Sequence, residues 1–168
     1  MKEKDAVYWR EKLELLQHPE GGWFKEVYRS EGQINEASLP SGFSGSRSYS
    51  TSIYYMLESG QFSAFHRIKS DELWHFYAGY PLKIHIIHPG GKYETITIGN
   101  DPDANQHLQC VIPAGSWFGS IAENEYTLAG CTVSPGFDFS DFEMAKRDHL
   151  LEEFPHLEEI ILTLTKPA

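Results

Sequence analysis

The sequence is short of cysteine and positive charge and has no long apolar run, and each shortage closes off a class of function. Its two cysteines, Cys110 and Cys131, lie far apart inside apolar stretches with no CxxC pair, so they read as reduced, buried thiols and not as a disulfide framework or a zinc site. Fourteen Lys plus Arg stand against 24 Asp plus Glu, a formal charge of -10. That balance offers no basic stripe to neutralise phosphates, so no nucleic acid is expected as a partner. No stretch approaches the ~18 apolar residues of a membrane span, and Met1-Lys2-Glu3-Lys4-Asp5 lacks the apolar core of a signal peptide. A soluble, cytoplasmic protein with no membrane partner is expected. Walker and Rossmann fingerprints are absent, and Gly42-Phe43-Ser44-Gly45-Ser46 misses the GxSxG elbow of hydrolases.

What is present is a chain of 168 residues, 40% hydrophobic and 14% aromatic, long enough for one domain over residues 1–168. Asp5 can cap an N-terminal helix within residues 1–17, where Ala6, Trp9, Leu13 and Leu16 recur at helical spacing before His18-Pro19-Glu20-Gly21-Gly22 stops it. Trp23 to Tyr28 reads as a strand. The polar, Ser- and Gly-rich stretch 31–48 reads as a long loop, either a surface excursion or a lid. From Ser50 on, strand-like runs arrive at the rhythm of an all-β sandwich or barrel, which is expected to occupy residues 23–139. These runs are Ser50–Leu57, Phe62–Ile68, Glu72–Ala78, Leu82–Ile87, Tyr93–Ile98, Leu108–Ile112, Ser116–Ile121 and Tyr126–Val133. The tail, 140–168, is predicted helical: Ser140-Asp141-Phe142-Glu143 forms a capping box, a helix follows to about Glu153, and a second runs from His156 to Leu164.

The chemistry concentrates between Gly60 and Gly79. That segment follows the spacing G-x5-H-x-H-x3-E-x6-G with His66 and Glu72 in place and Ile68 at the second histidine. Pro113-Ala114-Gly115 supplies the P-x-G of a second motif whose histidine position is Phe118. Both patterns resemble the cupin motifs, with two of four usual ligands replaced by apolar groups. Strand alternation puts Ala64, His66 and Ile68 on one face, which the cupin spacing places inside the barrel, and Trp74 and Phe76 on the side of Glu72. His75 lies on the face opposite Glu72 and reaches the pocket only through a bulge; His85 is flanked by Ile84 and Ile86 and needs a partner wherever it points. His18, His88, His107, His149 and His156 read as solvated. A metal needs three or four converging ligands, so no cofactor is expected. A divalent metal held by His66, Glu72 and His75 is the alternative.

The resemblance extends over nearly the whole chain, to a small single-domain cupin family of uncharacterised proteins, the cupin-5-like group. It is carried by His18-Pro19-Glu20-Gly21-Gly22, Tyr28-Arg29-Ser30, Ser52 to Leu57, His66 to His75, Val111 to Trp117 and Gly130 to Phe139. It implies a mainly β double-stranded β-helix, a cupin jelly roll, with helices at both ends, usually a homodimer and structurally close to the dTDP-sugar epimerases. By analogy with those epimerases, which work without metal, His66 is the base, Asp71 or Glu72 orients it, and Tyr28, Tyr54 or Tyr77 is the acid, Tyr54 being taken as the third catalytic residue. His75, Arg29, Trp74, Tyr77, His85 and Trp117 would contact the ligand. The function expected is binding of a small molecule, with metal-independent isomerase or epimerase chemistry on a sugar-like or polar metabolite. A ligand-binding cupin without turnover and a metal-dependent oxygenase or isomerase are the alternatives.

Overall fold

The computed structural model of the protein describes residues 4–167. Helix α1 (Ala6–Leu13) is followed by strands β1 (Leu16–Gln17), β2 (Trp23–Arg29), β3 (Gln33–Ile34), β4 (Arg47–Ser48) and β5 (Thr51–Glu58). Next come β6 (Phe62–Arg67), β7 (Asp71–Gly79), β8 (Leu82–Ile87), β9 (Tyr93–Ile98) and β10 (Gln109–Ile112). Strands β11 (Trp117–Ile121), β12 (Tyr126–Ser134) and β13 (Glu143–Met144) precede helices α2 (Arg147–Glu153) and α3 (Glu158–Thr163). Two antiparallel sheets face each other, ordered β1-β2-β5-β12-β7-β10 and β13-β6-β11-β8-β9. The strand rhythm read from the sequence is therefore the jelly roll itself.

The sheets close on a core of inward residues, among them Tyr55, Leu57, Trp74, Leu82, Ile84, Ile86 and Phe118. Each such side chain contributes about 1.5–3 kcal/mol by leaving water. Alternation then sends the neighbouring residues outward, where both ends of the chain cover them. Ala6, Trp9 and Leu13 of α1 pack over Met56, Tyr126 and Leu128 on the first sheet. Leu150, Phe154, Ile161 and Leu164 cover Phe65, Ile87 and Trp117 on the second.

Three local expectations are corrected. Asp5 does cap α1, its carboxylate accepting from the Tyr8 N–H at 2.8 Å, but the helix ends at Leu13, where Glu14 turns left-handed with φ 54°. The His18–Gly22 tract is thus the loop of the β1–β2 hairpin and not a helix stop. Residues 31–48 contain a two-stranded ribbon, β3 with β4. The Ser140 capping box does not form, because Asp141 is drawn inward by Arg47: Nε and Nη2 each meet one carboxylate oxygen at 2.7 Å in a buried pair. The tail helix therefore starts only at Arg147.

Candidate functional site

Between the sheets, next to the packed core, lies a cavity of about 300 Å³ lined by His66, Glu72, Ile53, Tyr55, Ile68, Cys131 and Val133, together with His18 and Glu20. Phe24, Phe137, Phe139 and Phe142 form its aromatic walls and mouth, and Glu26, Arg29 and Asp138 its charged rim.

Glu20 enters this space by a folded hairpin loop. Gly21 and Gly22 have φ of 120° and 73°, open to glycine at no steric cost, and a Cβ on Gly21 would overlap the Phe62 carbonyl oxygen. That close approach lets the Glu20 carbonyl accept from the Ala64 N–H at 2.9 Å, while the Tyr55 hydroxyl donates to the Gly21 carbonyl at 2.7 Å. Strand β6 meets the loop with an irregularity in its pairing to β11 between Phe118 and Ser120. The shift brings Ser63 and His66 onto one side, which strict alternation would not allow. Ser63 Oγ donates to one oxygen of Glu20 at 3.0 Å, and His66 Nε2 faces the other at 3.0 Å.

The hydrogen bonds fix where the protons are. His66 Nδ1 lies 2.7 Å from the Ala64 carbonyl oxygen, which can only accept, so Nδ1 carries hydrogen. Nε2 and the facing Glu20 oxygen must then hold one proton between them. Burial favours the uncharged arrangement: it raises the Glu20 carboxyl, against the pull of His18 and Ser63, and lowers His66 to about 4. A protonated Glu20 donating to a neutral imidazole follows. His18 Nδ1 accepts from the Glu20 backbone N–H at 3.3 Å, and burial lowers its basicity too, partly offset by Glu20. Phe118 and Phe142 clamp the His66 ring, with centroids 4.1 and 5.3 Å away.

Glu72 stands apart from that network. It is 8% exposed and pushed up to about 8, chiefly by burial; the Cys131 thiol and Trp74 indole N–H pull the other way and lose. At neutral pH it is mostly a carboxylic acid, a donor turned into a hollow.

The remaining sequence candidates divide by face. Arg29 reaches the rim, where Nε and Nη2 pair with Glu26 at 2.9 and 2.7 Å. Trp74 is buried in the core beside Glu72 and does not line the cavity. His75 stays outside and bonds Thr132 Oγ1 at 3.2 Å, because the irregularity in the β7–β12 pairing falls beyond it, at Tyr77. Tyr54 and Tyr77 meet edge to face, 6.1 Å apart, on that same outer surface, and Tyr28 is exposed. His85 faces outward and bonds the Tyr93 hydroxyl at 2.7 Å. Trp117 lies under the C-terminal helices with the Arg67 guanidinium 4.2 Å from its ring. Asp71 accepts from the Ala114 N–H at 2.8 Å and does not orient His66. His18 and His88, read as solvated, are instead buried against Glu20 and half-buried against Glu94. Sequence reasoning missed Glu20, His18 and Tyr55. A helix stop needs only the glycines of His18–Gly22, so its histidine and glutamate were the unused signal.

A jelly roll holding its polar groups inside the barrel defines a cupin. Residues 7–145 match the model of the family described as Cupin superfamily (DUF985), and the chain belongs to that family. It is 36% identical to protein SO0799 from Shewanella oneidensis, whose crystal structure superposes with a TM-score of 0.89 over 99% of this chain and 100% of that one. It is 30% identical to the uncharacterized protein YML079W of Saccharomyces cerevisiae over 86% of this chain and 75% of that protein. An oxalate decarboxylase from Bacillus subtilis, 16% identical with a TM-score of 0.55 over 88% of this chain and 36% of its own, shares the fold alone. Among the described residues no three His, Cys, Asp or Glu side chains are grouped to hold a metal ion. Nδ1 of His66 is taken by Ala64, Nε2 faces Glu20, and Ile68 lines the cavity where a ligand would project. The donor set does not fit the metal that many cupins carry. Among the same residues, no helix is long and apolar enough to cross a membrane.

Proposed function

We propose that this cupin is a metal-independent enzyme of the isomerase kind, moving a proton on a small carbonyl-bearing metabolite inside the barrel. One observation carries the reading: a buried carboxyl outside that network, Glu72, shares a cavity with the hydrogen-bonded His66–Glu20 pair. Glu72, held protonated near neutrality, is the general acid that protonates the carbonyl oxygen. Glu20 takes the substrate's proton as it passes its own to His66 Nε2. One proton leaves the wall and one returns to it, so the net charge of the cavity is unchanged in a site where an isolated charge costs several kcal/mol. The tyrosine of the epimerase analogy has no place here, since Tyr28, Tyr54 and Tyr77 do not line the cavity. A binding cupin without turnover is the second reading, favoured by the engagement of both His66 nitrogens within the protein.

The test is proton exchange. Aldoses, ketoses and other small carbonyl compounds that raise the melting temperature are incubated with the protein in D2O, and deuterium at the carbon beside the carbonyl is followed by NMR. Exchange that falls ~10²–10⁴-fold in Glu72→Gln and in His66→Ala is expected. Ligands that stabilise the fold and return without deuterium would reject turnover and leave the binding reading.

A further inference from the structure

The charges around the cavity select its ligand. Among the described residues its rim carries one cation, Arg29, and three of the five guanidinium N–H groups are engaged: Nε and Nη2 bind the two oxygens of Glu26, and Nη1 donates to the Phe137 carbonyl at 3.1 Å. Asp138 adds a second rim carboxylate, held low by the Ser140 hydroxyl and N–H and by the nearby Arg47 and Arg29. An entering phosphate or carboxylate would meet Glu26 and Asp138 beside Arg29, then Glu72 and Glu20, so that carboxyl groups outnumber the one guanidinium among the described lining residues. Anion sites are built the other way, from uncommitted Arg, Lys or backbone N–H groups.

An organic cation fares little better. At the rim it would meet Glu26, already paired with Arg29, and Asp138; inside the apolar chamber it would find a carboxylate only if Glu72 gave up its proton, and desolvating both ions offsets most of their attraction. Glu20 is already engaged by His66 and Ser63.

The complementary ligand is neutral. A protonated carboxyl offers one donor and one acceptor side by side, the mirror image of an amide edge, and Glu72 lines the cavity. Phe24, Phe137 and Phe142 supply flat apolar surface facing it, suited to stacking or edge contact with a planar body.

We propose that the cavity takes an uncharged compound with a flat apolar body and an amide-like or carbonyl-bearing edge, the edge on Glu72 and the body among Phe24, Phe137 and Phe142. Phosphorylated and nucleotide-linked sugars are excluded from it. This inference rests on the same cavity as the proposed proton transfer, and it deepens that reading by naming the substrate class.

Benzamide, benzoate and benzylamine share one body and differ in charge, so they separate the possibilities. Binding of each to the full chain at neutral pH is measured by thermal shift and by ligand-observed NMR. Benzamide is expected to raise the melting temperature and to bind at least about tenfold more tightly than either charged probe. Glu72→Gln, whose amide keeps a donor and an acceptor, should bind benzamide within about threefold of wild type, while Glu72→Ala loses about tenfold. Benzoate or benzylamine binding as tightly as benzamide, no probe binding, or Glu72→Ala binding like wild type would each overturn the proposal. The two readings fail separately: Glu72→Gln binding benzamide normally, in a protein that exchanges no substrate proton, rejects turnover and keeps the ligand class.

Discussion

Strands β5, β7 and β12 each run through two differently filled regions of one barrel. Where they carry Leu57, Phe76 and Ala129 they close, with Leu82 and Ile84, on a packed apolar core. Where they carry Ile53, Glu72 and Val133 they surround a hollow with an acid and an imidazole in its walls. The backbone pairing continues from one region to the other, so the contrast is made by side chains. The packed region fixes the frame. The hollow region holds carboxyl and imidazole groups in their neutral forms, a state that costs stability and that only a rigid surround can maintain.

Truncating matched isoleucines tests the contrast most severely. Ile84 is 0% and Ile68 4% exposed, yet Ile84→Ala should cost about 3–5 kcal/mol in urea unfolding and Ile68→Ala about 2 kcal/mol, because the second only enlarges an existing void. Equal losses would mean that the hollow is as tightly specified as the core.

A smaller effect is expected from pH. Burial pushes Glu72 from its ordinary 4.5 up to about 8 in the fold, so the folded state binds more protons than the unfolded chain between those values and stability falls as pH rises through that window. His66, lowered to about 4, acts with the opposite sign, its stability cost fading as pH rises from 4 towards 6.5. Glu20, raised by burial in the same direction, adds to the slope in both proteins, so between pH 6.5 and 8 the Glu72 share is the difference between wild type and Glu72→Gln, about 2 kcal/mol. Matching slopes in the two proteins would show that Glu72 is ionised at neutrality.

The outer face should barely respond. His75→Ala removes one half-buried bond to Thr132 and is expected to change stability by about 0.5 kcal/mol or less, with benzamide binding unchanged. A loss of binding there would move the site out of the barrel.

Candidate residues were legible where polar and apolar residues alternate. Ser63 to Ile68 and Asp71 to Phe76 mix the two, so His66 and Glu72 could be assigned to the interior. Ile53-Tyr54-Tyr55-Met56 is apolar throughout, and nothing in it tells which tyrosine points inward; the barrel took Tyr55. Placing Phe118 inside already implied that its neighbour Trp117 faces out, which the reading of Trp117 as a pocket wall overlooked. His75 was decided by a bulge position, a property of two paired strands and not of one.

Taken alone, the order of residues determined the β-rich rhythm, the apolar groups at 68 and 118 and, through its likeness to the cupin motifs, the jelly roll and the inward direction of His66 and Glu72. The rhythm follows from local periodicity, the rest from motif spacing. Only the tertiary structure decided that Glu20 would be the partner of His66. That contact requires a hairpin loop to fold across β6 and a slip in the β6–β11 pairing to turn Ser63 and His66 the same way, and both depend on strands distant in the chain.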